Sequence, residues 1–582
     1  MAKQFYIGLG VTYHDPALAI VDENGEVVFA EATERYLQYK RALNCEPDNL
    51  YQLPQLLSSH CAGASRLTLA FNWRSKRPWY ERSVARLGIL SPPGLRRQGI
   101  MRLGSPLENY KLHHMMACQR NSMAQGGLNL VRILRELYPR CVIAFRDFDH
   151  HTAHAALACY GSPFDEAACA VIDSFGENGS MAFYHFRDGR LELLREARGI
   201  GSLGFYYMKV TELCGFDWLK GEEWKVMGLA PYGRLDEEVY ALLKQTLRVQ
   251  GLGLAHPRRS LFAALETLAR RRRALSEPAE RAADLAFTGQ LFFKEIMTQI
   301  LCNFHAACGV DRLALAGGCA LNSSFNGQIL QCTPFRELYV PPAPADDGTA
   351  LGAAWLAFRA EHPRSLHQPA TLSPYLGSTL SHETLERLAV FAGGLDVRHR
   401  PDSICEETAR LLAAGKLVAW VQGRAEYGPR ALGNRSILAD PRDPGMKDRL
   451  NAQVKFREEY RPFAPSILHE YGAEYFEDYQ ASPYMERALR FRETVAERVP
   501  AVVHVDRSGR LQSVKREWNE HFYRLIEAFR QLTGVPLLLN TSFNVMGKPI
   551  VHSVEDAVSV FMTSGLDVLV IGNYLFTKPE MT

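Results

Sequence analysis

The stretch Asp149-His150-His151-Thr152-Ala153-His154 puts three histidines into five positions and runs on into the small-residue sequence AALACYG. On a helix, residues four apart project from one face with their Cβ atoms about 6 Å apart. His150 and His154 therefore have the spacing with which two imidazoles share one metal ion, whereas His151 sits about 100° round the helix. The same spacing also suits histidines that only hydrogen-bond inside a core, so a further ligand has to be found. PPAPADDGTALGAAW offers one, because Asp346 and Asp347 stand in a turn entered through proline and left through glycine, directly before a second small-residue helix. A carboxylate there can reach a metal or ligand at the helix N-terminus, and it can equally cap the helix.

A second concentration of chemistry is cationic. Arg424, Arg430, Arg435, Lys455, Arg457 and Arg461 are interleaved with Gly428, Pro429 and Gly433. Guanidinium groups pair with phosphate oxygens two bonds at a time, so this density fits a pocket for a polyanion. A solvated basic surface is the other reading; the rigid, apolar flanks GPRALGNRS and RPFAPS favour the pocket. The run LARRRRALSEP (268–278) lacks interleaved aromatics and reads as a solvated helix face.

These residues need elements to hold them. FYIGLGV, TYHDP and ALAIVDENGEVVFAE read as strand, turn and strand, with Asn24-Gly25 as a hairpin turn. Residues 168–194 repeat the scheme, which points to an internal duplication. His14 lies in the first turn, where its near-neutral pKa suits acid/base work, or where it caps its own loop. Asp173 lies at the equivalent strand end, in VIDSFGENGS, beside Gly176 and Gly179, as part of a phosphate loop or of an Asx-turn. In 312–330, Gly317 and Gly318 stand where a strand passes into a helix and backbone N–H groups can approach phosphate. Lys225, in GEEWKVMGLAPYG, can neutralise a phosphate or pair with Glu222 or Glu223, and Glu222 and Gly228 are placed near the nucleotide. A proline-rich shift near residue 370 divides the chain into 1–370 and 371–582. Beyond it, LVAWVQGR and VPLLLNTSFN read as buried strands and EDAVSVFMTSG as a helix, so both halves are of the α/β class.

With 582 residues, two or more cores are expected. Hydrophobic residues at 47%, charged residues at 23% and a net charge of +3 describe a globular enzyme that needs neither nucleic acid nor an acidic membrane as partner. The 12 cysteines form no CxxC pair, which excludes zinc ribbons and disulfide frameworks and suggests a reduced, cytoplasmic setting. The start, MAKQFYIGLGV, lacks the pattern of a signal peptide, and no apolar run reaches 18 residues. A homodimer is compatible with this size.

Taken in order, GLGVTYHDPALAIVDENG, DHHTAHAA, VIDSFGENGS, GEEWKVMGLAPYG, LAGGCALN, PADDGTALGAAW, GRAEYGPRALGNRSILADPRD, NAQVKFREEYRPFAPSI, HVDRSGRLQSV and LLLNTSFNVMGKPIV resemble the NodU/CmcH family of O-carbamoyltransferases over nearly the whole chain. The resemblance implies an N-terminal domain of the actin-like ATPase fold, similar to the tRNA threonylcarbamoyl transferase TsaD, with duplicated subdomains. It also implies a YrdC-like α/β domain that makes a carbamoyl adenylate from carbamoyl phosphate and ATP. The carbamoyl group then passes to a hydroxyl of a small natural-product acceptor, with iron(II) or another divalent metal in the first domain and Mg²⁺ accompanying ATP.

On the family's pattern, His150, His154 and Asp346 are the metal ligands, with Asp347 as the other choice of carboxylate, and His14 is the acid/base. Gly317, Gly318 and Asn322 match a nucleotide loop. Arg424, Arg430, Lys455, Arg457, Arg461 and Arg510 match the basic set, of which Lys455, Arg461 and Arg510 act on the reacting groups. Asn540, Ser542 and Asn544 match the closing NTSFN loop. The sequence departs from the family after FAEATERYLQYKRALNCEPD, and 75–110 looks like a local elaboration that could shape the acceptor pocket. A tRNA threonylcarbamoyl transferase shares both domain types but predicts a large basic face, and a non-catalytic nucleotide-binding scaffold would not need the histidines, Asp346 and the arginines.

Overall fold

A computed structural model describes residues 3–74, 106–198, 201–257, 260–363 and 369–579; most of the expected elaboration at 75–110 lies outside them. β1 (Lys3–Gly10) shows why the first sheet forms. Alternate side chains of a strand point to opposite faces. Phe5, Ile7 and Leu9 enter one core with Leu53, Leu57, Leu130 and Leu134, while Tyr6 enters a second, alanine-rich core with Ala350 and Ala354. Each such large apolar side chain contributes about 1.5–3 kcal/mol on burial.

β2 (Ala17–Val21), β3 (Val27–Ala32), β4 (Ala64–Phe71) and β5 (Val142–Asp147) complete this sheet in the order β3-β2-β1-β4-β5. β1 to β3 form an antiparallel meander, and β4 and β5 add in parallel. β6 (Glu166–Ile172), β7 (Gly179–Arg187) and β8 (Arg190–Arg198) repeat the meander; after a small hairpin, β9 (Arg248–Gln250) with β10 (Gly253–Ala255), β11 (Arg312–Ala316) and β12 (Glu337–Tyr339) add in parallel. The second sheet runs β12-β11-β6-β7-β8, the order of the first, so the duplication read from sequence is present in the topology.

The two repeats exchange their closing helices. Helix His150–Tyr160 follows β5 but packs on the second sheet, and helix Thr349–Glu361 follows β12 but packs on the first. The helices also lie against each other, close enough that a Cβ on Gly352 would fall 1.9 Å from the carbonyl oxygen of Ala153. Gly8 is under the same constraint from the other side, since its Cβ would fall 1.8 Å from the carbonyl oxygen of Ala350.

The C-terminal lobe is a single nine-stranded sheet. Its strands are β13 (Asp396–His399), β14 (Val418–Val421), β15 (Arg435–Ala439), β16 (Ala464–Leu468), β17 (Arg487–Arg490), β18 (Ser508–Val514), β19 (Leu537–Ser542), β20 (Val568–Ile571) and β21 (Tyr574–Thr577), in the order β13-β21-β20-β14-β15-β19-β16-β18-β17. β14 and β19 are the strands expected from LVAWV and LLLNTS, and helix Val554–Met562 is the one expected from EDAVSVFM. Trp420, Phe522 and Phe529 fill the core between sheet and helices. The segment just after residue 370 still belongs to the first lobe, because Leu376 accepts a hydrogen bond from the Ala30 N–H and is buried beside Tyr6. The second lobe begins with helix His382–Phe391, whose N-cap Ser381 accepts from the Thr384 N–H.

The helix contact at Gly352 gives a direct test. Gly352→Val must push the two closing helices apart, and overpacking of this kind costs about 1–3 kcal/mol. Urea unfolding monitored by circular dichroism should show the loss; a variant as stable as the parent chain would contradict the packing described.

Candidate active site

The N-cap Asp149 accepts from the Thr152 N–H and starts the helix so that His150 and His154 occupy successive turns of one face. Their Nε2 atoms are 3.3 Å apart. Asp346 reaches the same point from the other repeat, its Oδ1 lying 3.6 Å from His150 Nε2 and 3.5 Å from His154 Nε2. Asp173, at the end of β6, brings Oδ2 to 3.5 Å and 3.7 Å from the same two nitrogens. All four residues are buried, with their ligand atoms within 4.8 Å of one another.

Asp173, expected at a phosphate loop or an Asx-turn, also lies against the histidines, and its second oxygen accepts from the Gly318 N–H at 3.1 Å. The duplication carried the signal, because β1 and β6 are equivalent strands and the turns beyond them deliver His14 and Asp173 to the same place. Asp346 stands beside the histidines, as the resemblance implies, and is not the helix cap. Gly348 occupies that position, Asp347 accepts from the Gly348 N–H, and the Asp346 carboxylate is left to face the histidines.

Electrostatics fit this cluster to a cation. Burial opposes charge on His150, yet Asp173 and Asp346 override it and raise the imidazole to about 10. Burial likewise opposes ionisation of Asp346, and His14 and His150 nevertheless hold its carboxyl well below the usual carboxylate range. Two imidazoles with two carboxylates form a nitrogen and oxygen donor set suited to a first-row divalent ion. His14 borders the cluster, with Nδ1 2.9 Å from Asp15 Oδ2 and 3.6 Å from Asp346 Oδ2. Asp15 is held in turn by Arg41 at 3.0 and 2.9 Å. His151 packs its ring against Gly176, off the ligand face.

In the second lobe a single π-helical turn, Asn451–Lys455, buries Lys455. Its ammonium donates to the Ser542 carbonyl at 2.5 Å, to the Asn544 carbonyl at 3.0 Å and to Asn544 Oδ1 at 2.8 Å, so NTSFN closes on the lysine. Arg457 bonds Asn451 and lies 4.2 Å from the Phe463 ring centroid, and Arg461 lies 3.6 Å from that of Trp224. Burial, reinforced by the neighbouring cations, pushes Lys455, Arg457 and Arg430 well down, and burial brings Arg461 and Arg510 to about 10. The nearest acid, Glu458, is shared between Arg461 and Lys225. Buried cations that outnumber the acids beside them make a strongly positive region, which favours anions. Asn540 donates to Ser466 Oγ at 2.9 Å on the central strand β19, while its carbonyl oxygen is buried and unpartnered.

Other expected site residues have different work. Arg424 donates to the carbonyls of Gly377 (3.0 Å), Val28 (2.8 Å) and Leu376. Arg435 is buried and donates to the Gln422 and Ser378 carbonyls. Gly317 has φ +88° and its Cβ would meet the Ile172 carbonyl oxygen at 2.4 Å, so packing alone demands glycine there. Asn322 caps the turn Ser323–Asn326 and exchanges bonds with Gln290. Glu222 pairs with Lys225 at 2.8 Å, and Gly228 faces Tyr460 and Pro462, so both lie at the seam between the lobes. The basic run near 270 is not a free helix face. Arg271 pairs with Asp236, Arg272 with Glu212, and Arg273 donates to the Cys214 carbonyl beyond the helix end.

A buried His/Asp cluster thus lies in one lobe and a cluster of buried cations in the other. Comparison gives the class: residues 130–355 match the family model "Carbamoyltransferase N-terminus" and residues 409–578 match "Carbamoyltransferase C-terminus". The chain belongs to this carbamoyltransferase family. It is 38% identical to nodulation protein NolO of Bradyrhizobium diazoefficiens over 74% of this chain and 79% of that one. It is 32% identical to an uncharacterized Synechocystis protein over 98% and 96% of the two chains. Nodulation protein NolNO of Sinorhizobium fredii is 39% identical over 74% of this chain, which spans 63% of that longer protein.

The ligand set is testable residue by residue. His150→Ala should abolish uptake of one Co²⁺ in equilibrium dialysis, and Asp173→Asn should weaken it by roughly 10-fold or more. Unaltered binding by Asp173→Asn would remove Asp173 from the set.

Proposed function

We propose that this carbamoyltransferase is an ATP-dependent O-carbamoyltransferase whose two lobes divide the reaction. The observation that carries the proposal is the crowding of the buried cations Lys455, Arg430, Arg457, Arg461 and Arg510, beside which Glu458, shared with Lys225, is the acid paired to Arg461. Carbamoyl phosphate and ATP together bring the charge those cations need. In the second lobe water cleaves the P–O bond of carbamoyl phosphate, releasing inorganic phosphate and leaving carbamate; a carbamate oxygen then bonds to the α-phosphorus of ATP while the α–β phosphoanhydride breaks and pyrophosphate leaves. The cations stabilise the negative charge that builds on the phosphate oxygens in that step. Lys455, fixed by three oxygens of the NTSFN loop, and Arg461, flat against Trp224, are already oriented and lose little freedom on binding.

In the first lobe, a hydroxyl of a small acceptor attacks the carbamoyl carbon, its bond to the adenylate oxygen breaks, and AMP leaves. His14 accepts the hydroxyl proton, with Asp15 at 2.9 Å supporting the resulting imidazolium. His150, His154, Asp173 and Asp346 hold a divalent ion, which supplies Lewis acidity toward the reacting oxygens. No helix among the described residues is long and apolar enough to cross a membrane, in keeping with a small dissolved acceptor.

Purified protein given carbamoyl phosphate and ATP should release AMP and pyrophosphate, and omission of carbamoyl phosphate should stop it. Lys455→Ala and Arg461→Ala should each lower that rate by about 100-fold or more. Nucleotide turnover indifferent to carbamoyl phosphate would refute the proposal.

A further inference from the structure

Asn72 follows β4 directly, is fully buried, and uses its whole amide. Its Oδ1 accepts the Val11 N–H at 2.8 Å, just past the end of β1. Its Nδ2 donates to Thr349 Oγ1 at 2.7 Å and lies 3.4 Å from Nδ1 of His150, on the ring edge away from the cluster. Thr349 Oγ1 donates onward to the Asp346 carbonyl at 2.5 Å. One side chain thus joins the ends of two strands of the first repeat to the starts of both closing helices. The next residue, Trp73, lays its indole on the His150 imidazole, with ring centroids 4.5 Å apart and planes 21° from parallel. A buried amide is costly unless its bonds are made, and this one makes them to the Val11 N–H and the Thr349 hydroxyl.

We propose that Asn72 is a positioning residue for the His150/His154/Asp173/Asp346 cluster. Through Thr349 it fixes the backbone of Asp346, and it places the next residue, Trp73, whose indole stacks on His150. His150 and His154 lie on one closing helix and Asp346 just before the other, and Asn72 stands between the two helix starts, hydrogen-bonded to Val11 and Thr349. This rests on the reading that the cluster holds a divalent cation. Groups standing behind metal ligands in this way typically change affinity 10- to 100-fold.

The test compares the unaltered chain with Asn72→Leu and Thr349→Val by equilibrium dialysis against Co²⁺, with the visible d–d spectrum of the bound ion recorded. Thr349→Val preserves shape and removes only the hydroxyl link, so it decides the matter even where Asn72→Leu does not fold. Asn72→Leu is expected to bind Co²⁺ about 10-fold more weakly or worse. Thr349→Val should lose a smaller factor, and both should shift the d–d bands, which a loss of stability alone would not do. Parent-like affinity and an unshifted spectrum in the variants would overturn the role of Asn72 and leave the metal reading standing. If the unaltered chain takes up no Co²⁺, the metal reading itself fails and the role of Asn72 falls with it.

Discussion

The structure depends on how closely two backbones can approach. The closing helices touch where Gly352 meets Ala153, and the first sheet touches one of them where Gly8 meets Ala350. Side chains at either glycine would separate layers whose shared core is rich in alanine, with 9 alanines among its 17 buried residues. That thinness has a chemical result: His150 and His154 are on one helix, Asp346 opens the other, and only helices in backbone contact bring those groups within 4.8 Å. Small residues here serve the site by making the scaffold narrow, and the packing of the core and the geometry of the cluster are one constraint.

The duplication then explains why the cluster is built from unrelated parts of the chain. Each repeat ends its first strand in a turn that carries a titratable group, His14 or Asp173, and each ends its last strand at a helix start that carries ligands. Because the helices are exchanged between sheets, all four loops converge on one axis. Four separate stretches of sequence contribute to a centre that no single stretch defines.

Much of this was legible in the residues. The period-2 pattern of β1, the hairpin at Asn24-Gly25, the repeated meander and the buried strands around Trp420 and Leu538 follow from local pattern and turn chemistry. The HxxxH spacing and the Asp346 turn identified two contributors to the cluster. Asp173 was visible as a strand-end carboxylate but not as a neighbour of the histidines, because that depends on the exchange of helices, which leaves no local trace. Arg424 and Arg435 were indistinguishable by type from Lys455 and Arg461. What separates them is where each side chain lies: Arg424 and Arg435 bond the 376–378 and 422–423 backbone, while Lys455 and Arg461 lie with Arg457, a property of the tertiary fold. Asn72 carried no signal, since one asparagine after a strand reads as an ordinary turn residue.

The arginines withdrawn from the cation cluster carry a consequence of their own. Arg35, Arg424 and Arg435 spend their guanidinium groups largely on carbonyl oxygens, and two of them reach across the seam, to Gly428 and to Val28. Carbonyls neither titrate nor carry net charge, so these bonds persist where ordinary ion pairs are screened by salt or lost to protonation. Arg35 and Arg424 thus cross the joint to neutral acceptors, beside the Lys225–Glu458 ion pair, and changes of salt or pH that weaken the ion pair leave these carbonyl bonds in place.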